Sequence, residues 1–225
     1  MIKYSIEIFG ALLMSSLVVL YLWKRQLVCF QNLQSEKENQ RLGLSKKKTV
    51  FFIIILLLLN CVTVWFIVKN TQSYINTIKL LTVLCALEIM SVTDYYLKII
   101  PNFILLLLLA VRVVLYIVEF FVLKPKVLSI FVSDLIGFAF GFGILLVASL
   151  ISKQAIGFGD VKLFGVLGLI TGFQCTFFTL FIALVISAIV GIVLLIRKKI
   201  NRKESMPFAP FVLIGFLVVL YTVSY

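Results

Sequence analysis

The sequence predicts an all-α fold: a polytopic membrane helix bundle of about eight transmembrane helices, with both termini extracytoplasmic. Three observations predict it. Of 225 residues, 63% are hydrophobic and 13% charged, and the mean hydropathy is +1.19. A soluble domain is nearer half apolar and a quarter charged, and this chain has more apolar surface than it can hide by folding on itself. The apolar residues come in runs of about 20 with few charges, the length of a spanning helix and not of a barrel strand. Lysine and arginine, finally, crowd onto alternate junctions between the runs, which fixes orientation.

The first run, about 5–23, has almost nothing basic before it and no small-residue cleavage site after it. It is therefore read as a retained helix and not a removed signal peptide. A polar loop at 24–48 leads to the second span, about 49–68, and the turn KNTQSYIN to the third, about 77–97. The fourth covers about 102–123. KPK at 124–126 turns the chain into the fifth, about 127–151. From Leu163 to Ile196 the apolar sequence is too long for one span. Gly172, Phe173 and Gln174 offer the break, giving a short sixth span and a seventh at about 175–196. The basic loop RKKINRKESM precedes the last, about 207–224. The whole chain, 1–225, is expected to form a single integral membrane domain.

Fifteen lysines and arginines lie on the junctions at 24–48, 98–101, 152–162 and 197–206. Four lie on the opposite side: Lys3, Lys69, Lys124 and Lys126. The first group is thus expected in the cytoplasm. The formal charge of +12 is a topology signal and a contact with anionic lipid, so nucleic acid is not an expected partner. There is no histidine, and the four cysteines, Cys29, Cys61, Cys85 and Cys175, form no C-x-x-C pair. Zinc sites and thiol–imidazole chemistry have little to work with, and no metal is expected.

An ionisable group at membrane depth is costly and needs a reason. Glu36, Glu38 and Glu204 lie in basic loops. Glu7 lies near the outer end of the first span and can reach water, and Glu119 lies near the outer end of the fourth, where snorkelling is expected. For Glu88, Asp134, Lys79 and Arg112 a buried structural ion pair is the simplest reading, with the pairs unassigned. Asp94 and Asp160 remain, and the topology brings both to the cytoplasmic boundary. Asp94 lies in SVTDYYLKIIPN, just before Lys98 and the helix-ending Pro101. Asp160 lies in AIGFGDVKLF, where Gly157 and Gly159 allow backbone conformations closed to other residues and let the loop approach a neighbouring helix. A first-turn aspartate also suits the helix dipole. Two carboxylates at one depth, from separate helices, can share a proton, one acting as acid while the other polarises a water. Taken alone, the spacing equally allows Asp160 to be only a helix-start residue and Lys162 only a headgroup contact.

These residues resemble a known family. Gly157, Phe158, Gly159, Asp160 and Lys162, followed by Leu163, Gly165 and Gly168, match the GxGD signature of the type IV prepilin peptidases, which are membrane aspartyl peptidases. Asp94 precedes Ile100, Pro101 and Asn102 in the register of that family's other aspartate. PFAPF at 207–211, with Pro207, Phe208 and Pro210, is similar to the motif opening the family's final helix, although Ala209 stands where glycine is usual. The resemblance covers about 80–225, with the peptidase core at 80–200.

What the resemblance implies is an aspartic endopeptidase in the cytoplasmic membrane, with its active site facing the cytoplasm. It would cleave the basic leader from a prepilin or pseudopilin-like precursor. Asp94 and Asp160 are the implied catalytic pair, and Gly157, Phe158, Gly159, Lys162, Pro101 and Asn102 the active-site loop and its support. Many members also carry paired C-x-x-C sequences after the first helix and a methyltransferase activity. The loop at 24–48 has only Cys29, so no metal is expected there. No cofactor is expected either, S-adenosylmethionine being needed only if methyl transfer is retained. Two other readings use the same polytopic frame. A cation-coupled transporter would line acidic residues through the membrane depth, and a non-catalytic pilus or secretion scaffold would bind precursors without cutting them.

Overall fold

The computed structural model describes residues 62–67, 69, 73–123, 127–151, 157–197 and 206–222. The expected first span and the loop at 24–48 lie outside the described residues, as does most of the second span. The chain divides into two units, Met1–Asn70 and Thr71–Tyr225. Of the first, residues 62–67 and 69 are described, and they are helical.

Among its described residues the second unit holds five helices: α1 (Tyr74–Leu97), α2 (Asn102–Leu123), α3 (Val127–Ile151), α4 (Phe158–Ile196) and α5 (Ala209–Thr222). Among the described residues there is no strand. The first four helices are long and apolar enough to cross a membrane, and α5 is a shorter apolar helix. Large apolar side chains cover the outside, Phe103 for example being 72% exposed. A soluble monomer rarely shows so much contiguous apolar surface, whereas hydrocarbon is a suitable solvent for it. This is a multi-pass membrane protein.

Each helix starts and stops for a local reason. Ser73, in extended conformation, precedes α1, and Lys98 ends it in the left-handed region (φ 54°, ψ 35°), its N–H bonded to the Asp94 carbonyl. Pro101 then opens α2, its carbonyl accepting from Ile104 N–H at 3.2 Å. Along α2 the buried residues are Leu105, Leu108, Arg112, Leu115 and Glu119, a single stripe at helical period. The stripe includes both ionised residues of the helix.

At 39 residues, α4 would run about 58 Å if straight, against a hydrocarbon thickness of about 30 Å. It is broken where the sequence suggested, at Gly172 (φ 77°, ψ 178°). That φ is open to glycine and costly for other residues. The Thr176 hydroxyl donates to the freed Gly172 carbonyl at 2.7 Å, so the break leaves no orphaned acceptor there.

Small residues bring the helices into backbone contact. A Cβ on Gly137 would stand 2.5 Å from the Gly168 carbonyl oxygen, and one on Gly141 would stand 2.5 Å from that of Phe164. Thus α3 and the first half of α4 touch backbone to backbone, as close membrane helices do where dispersion replaces the hydrophobic drive. Likewise α5 crosses the second half of α4 at Gly215, whose Cβ would lie 2.8 Å from the Thr179 carbonyl. Val161, Phe164, Val212 and Phe216 fill the centre and are fully buried.

Candidate active site

Asp94 occupies the last turn of α1 and is 7% exposed. Its Oδ2 accepts a hydrogen bond of 2.8 Å from the backbone N–H of Ala209, the first residue of α5. Residues 94 and 209 are thereby joined across 115 positions of sequence.

Asp160 stands three residues after Gly157, the N-cap of α4. Its own N–H donates to the Gly157 carbonyl at 3.0 Å, and its carboxylate turns back to take a backbone hydrogen bond from Gly157. This is the N3 half of a capping box, the N-cap glycine having no side chain to complete it, so the residue both starts the helix and stands at the site. Gly157 itself has φ −64° and ψ 135°, values open to any residue. The expected need for a glycine-specific backbone at 157 is therefore corrected. Gly159 works by closeness instead, since a Cβ there would meet the Ile100 side chain at 3.2 Å. With that spacing the GFGD turn sits directly on the IIPN turn.

The carboxylates of Asp94 and Asp160 are near enough to feel one another's charge. Within the described residues, neither takes part in an ion pair. Two acids on separate helices thus lie within electrostatic reach at one end of the bundle, each accepting a hydrogen bond from a backbone N–H. This arrangement can hold a water and move protons to and from it.

Lys162 turns elsewhere. Two positions further along a helix is a rotation of about 200°. Its ammonium donates to Asn102 Oδ1 at 3.4 Å and lies 5.3 Å from the centre of the Phe158 ring. Together with Asn102, Phe103, Leu106 and Val166 it lines an open apolar groove of about 390 Å³ between α2 and α4. Pro101 sets the start of α2 beside it. Pro207 and Phe208 are in the non-helical segment before α5. The Phe208 ring rests on that of Phe164, 6.0 Å between centres, and Pro210 is the second residue of α5.

A second cluster of charge lies toward the other end. Lys79 of α1 is ion-paired with Glu119 of α2. Glu119 Oε1 also accepts from Arg112 at 3.1 Å, and Arg112 pairs in turn with Asp134 of α3. The Tyr116 hydroxyl donates to Asp134 Oδ2 at 2.9 Å, while its ring lies 3.7 Å from the guanidinium carbon. Arg112 and Glu119 are both 0% exposed. Glu119 therefore does not snorkel, because two cations hold it inside the bundle. Lys79 and Asp94 are fifteen positions apart on α1, which separates the clusters by about 22 Å.

Two features escaped the sequence. Arg112 and Glu119 are seven residues apart, two turns along one helix face, and that spacing is a signal for the pair. Ala209 carries no chemistry in its side chain, and its only mark is its place between Pro207 and Pro210.

A family model described as the Type IV leader peptidase family matches residues 81–192, about half of the chain. Over 132 residues the chain is 31% identical to a "Prepilin leader peptidase/N-methyltransferase" of Bacillus subtilis (strain 168), covering 59% of this chain and 50% of that protein. It is 37% identical over 70 residues to a protein of the same name from Pseudomonas putida, covering 31% of this chain and 24% of that one. The chain thus spans half or less of the curated relatives it matches. No solved structure matches it.

Proposed function

The chain belongs to the type IV leader peptidase family, and from that premise we propose that it is an aspartic endopeptidase which cuts the basic leader from prepilin or pseudopilin-like precursors. The observation that carries this reading is the placement of Asp94 and Asp160 at adjoining ends of two helices, whose turns touch at Gly159 and Ile100 and leave the carboxylates within electrostatic reach. The basic junctions of the sequence assign that end to the cytoplasmic face of the cell membrane. A precursor whose leader is basic and whose next segment is apolar would hold its scissile bond at that level.

Asp94 Oδ2 is engaged by Ala209, which leaves Oδ1 for the reaction. A water between the carboxylates attacks the scissile carbonyl while the ionised acid of the pair takes its proton. The protonated partner gives its proton to the carbonyl oxygen as the tetrahedral gem-diol forms. On collapse the first acid passes the water's proton to the leaving nitrogen, the C–N bond breaks, and the partner regains a proton from a gem-diol hydroxyl. The new C-terminus thus carries the water oxygen, and both acids return to their starting states. No covalent enzyme intermediate arises. Closure of Gly159 on Ile100 keeps the two turns in register.

Cation transport gains no support from Glu119 and Asp134, which are engaged by Lys79 and Arg112. The reaction proposed needs no cofactor. Methyl transfer is not assigned to this chain, whose segment at 24–48 has a single cysteine.

The test is co-expression with a pilin-like precursor, followed by the mass of the product. Wild type should trim the leader, and Asp94→Asn and Asp160→Asn should leave the precursor whole while still inserting in the membrane. Normal trimming by both variants would end the two-carboxylate reading.

A further inference from the structure

The start of α5 is built so that one backbone donor is left over. An α-helix begins with N–H groups that have no partner within the helix. In the first turn of α5, Pro210 has no N–H at all. Phe211 and Val212 both donate to the Phe208 carbonyl, at 3.0 and 3.2 Å. The Ala209 N–H remains, and it is the one that reaches Asp94 Oδ2. Ala209 is fully buried, so water does not compete for it.

The preceding residue ties the same segment to the other acid. Phe208 stacks obliquely on Phe164, which is fully buried and lies one turn beyond Asp160 on α4. One short stretch of chain thus grips both aspartate-bearing helices, α1 through a main-chain hydrogen bond and α4 through an aromatic contact. On its own side of these contacts the segment offers a main-chain N–H and a phenyl ring, neither of which can take part in proton transfer. The segment also lies beyond residues 81–192, the part matched by the family model.

We infer that the Ala209 backbone amide is a positioning group of the site: it holds Asp94 by one oxygen so that the other faces the water shared with Asp160. The two prolines of PFAPF clear competing donors, and Phe208 fixes the distance to α4. This rests on the peptidase reading above and deepens it, making the final helix part of the machinery and not only of the frame.

The test removes the N–H without changing the side chain. Replacing Ala209 by lactic acid, its α-hydroxy counterpart, converts that amide to an ester in the full-length protein. Ala209→Gly retains the N–H, and Ala209→Pro deletes it at a first helical position that accepts proline. Cleavage of the same precursor used for wild type is followed over a range of precursor concentrations. The ester should lower kcat by roughly tenfold to a hundredfold, the span expected for a hydrogen bond to a charged group, and leave KM unchanged. Ala209→Gly should restore kcat to within about threefold of wild type, since the donor that carries the effect is intact. A role in packing alone predicts the reverse, with the ester normal and Ala209→Gly impaired. Wild-type kcat in the ester variant overturns the proposal, even if Ala209→Pro is inactive or misfolded. That failure is distinct from failure of the peptidase reading, in which Asp94→Asn and Asp160→Asn would themselves still cut.

Discussion

The two ends of this bundle treat charge in opposite ways. Around Arg112, two cations meet two carboxylates, buried and hydrogen-bonded. Around Asp94 and Asp160, two acids that would repel one another if both were ionised lie within electrostatic reach, and each accepts a hydrogen bond from a backbone N–H. Opposite charges joining α1, α2 and α3 satisfy what each helix would otherwise expose to hydrocarbon, and their position is a matter of architecture. Like charges have no such benefit and oppose folding. That cost is why we propose this pair, and not the Arg112 cluster, as the place of the chemistry. Burial of ionisable groups is common to both ends, and the sign of the neighbour is what distinguishes frame from site.

The comparison predicts opposite outcomes when one charge is removed. Arg112→Met leaves Asp134 without its cation, and loss of one partner from a buried pair costs about 3–5 kcal/mol. Its thermal unfolding temperature in detergent should fall sharply, and Arg112→Met with Asp134→Leu should recover part of the loss. At the other end, Asp160→Asn should leave the unfolding temperature unchanged or higher while abolishing cleavage. A destabilised Asp160→Asn would place that residue with the frame.

Intermediate effects come from the contact between α3 and α4. Gly168→Ala would drive a methyl group into the Gly137 carbonyl. We expect a loss of about 1–3 kcal/mol, with reduced cleavage because this helix carries Asp160. Within the ion-pair cluster, Tyr116→Phe removes one hydrogen bond to Asp134 and should cost about 1 kcal/mol, with cleavage intact. Smallest is Lys98→Gly, which relieves a left-handed backbone at the end of α1 and should stabilise by about 1 kcal/mol.

The membrane class was legible because composition and run length are averages over many residues. So was the break in α4, since 39 residues exceed one membrane crossing and Gly172 is the residue able to turn there. That Asp94 and Asp160 share one end of the bundle could be read because one closes a long apolar run and the other opens one. Pairing was another matter. Lys79, Arg112, Glu119 and Asp134 meet through the packing of three helices, and a sequence shows the face of each helix but not which faces touch. Ala209 was missed for a different reason. Its contribution is a main-chain N–H, which every residue but proline has, and what selects it is the loss of the competing donors around it.

The central claim is that Asp94 and Asp160 work as one unit on one water. The most direct measurement is a cleavage-rate cycle on a single precursor: wild type, Asp94→Asn, Asp160→Asn and the double variant. Each single change should cost about 10²–10⁴ in rate. The double variant should be no slower than the slower single, because one missing acid already disables the pair. Losses that multiply in the double variant, or a single variant that cuts like wild type, would contradict it.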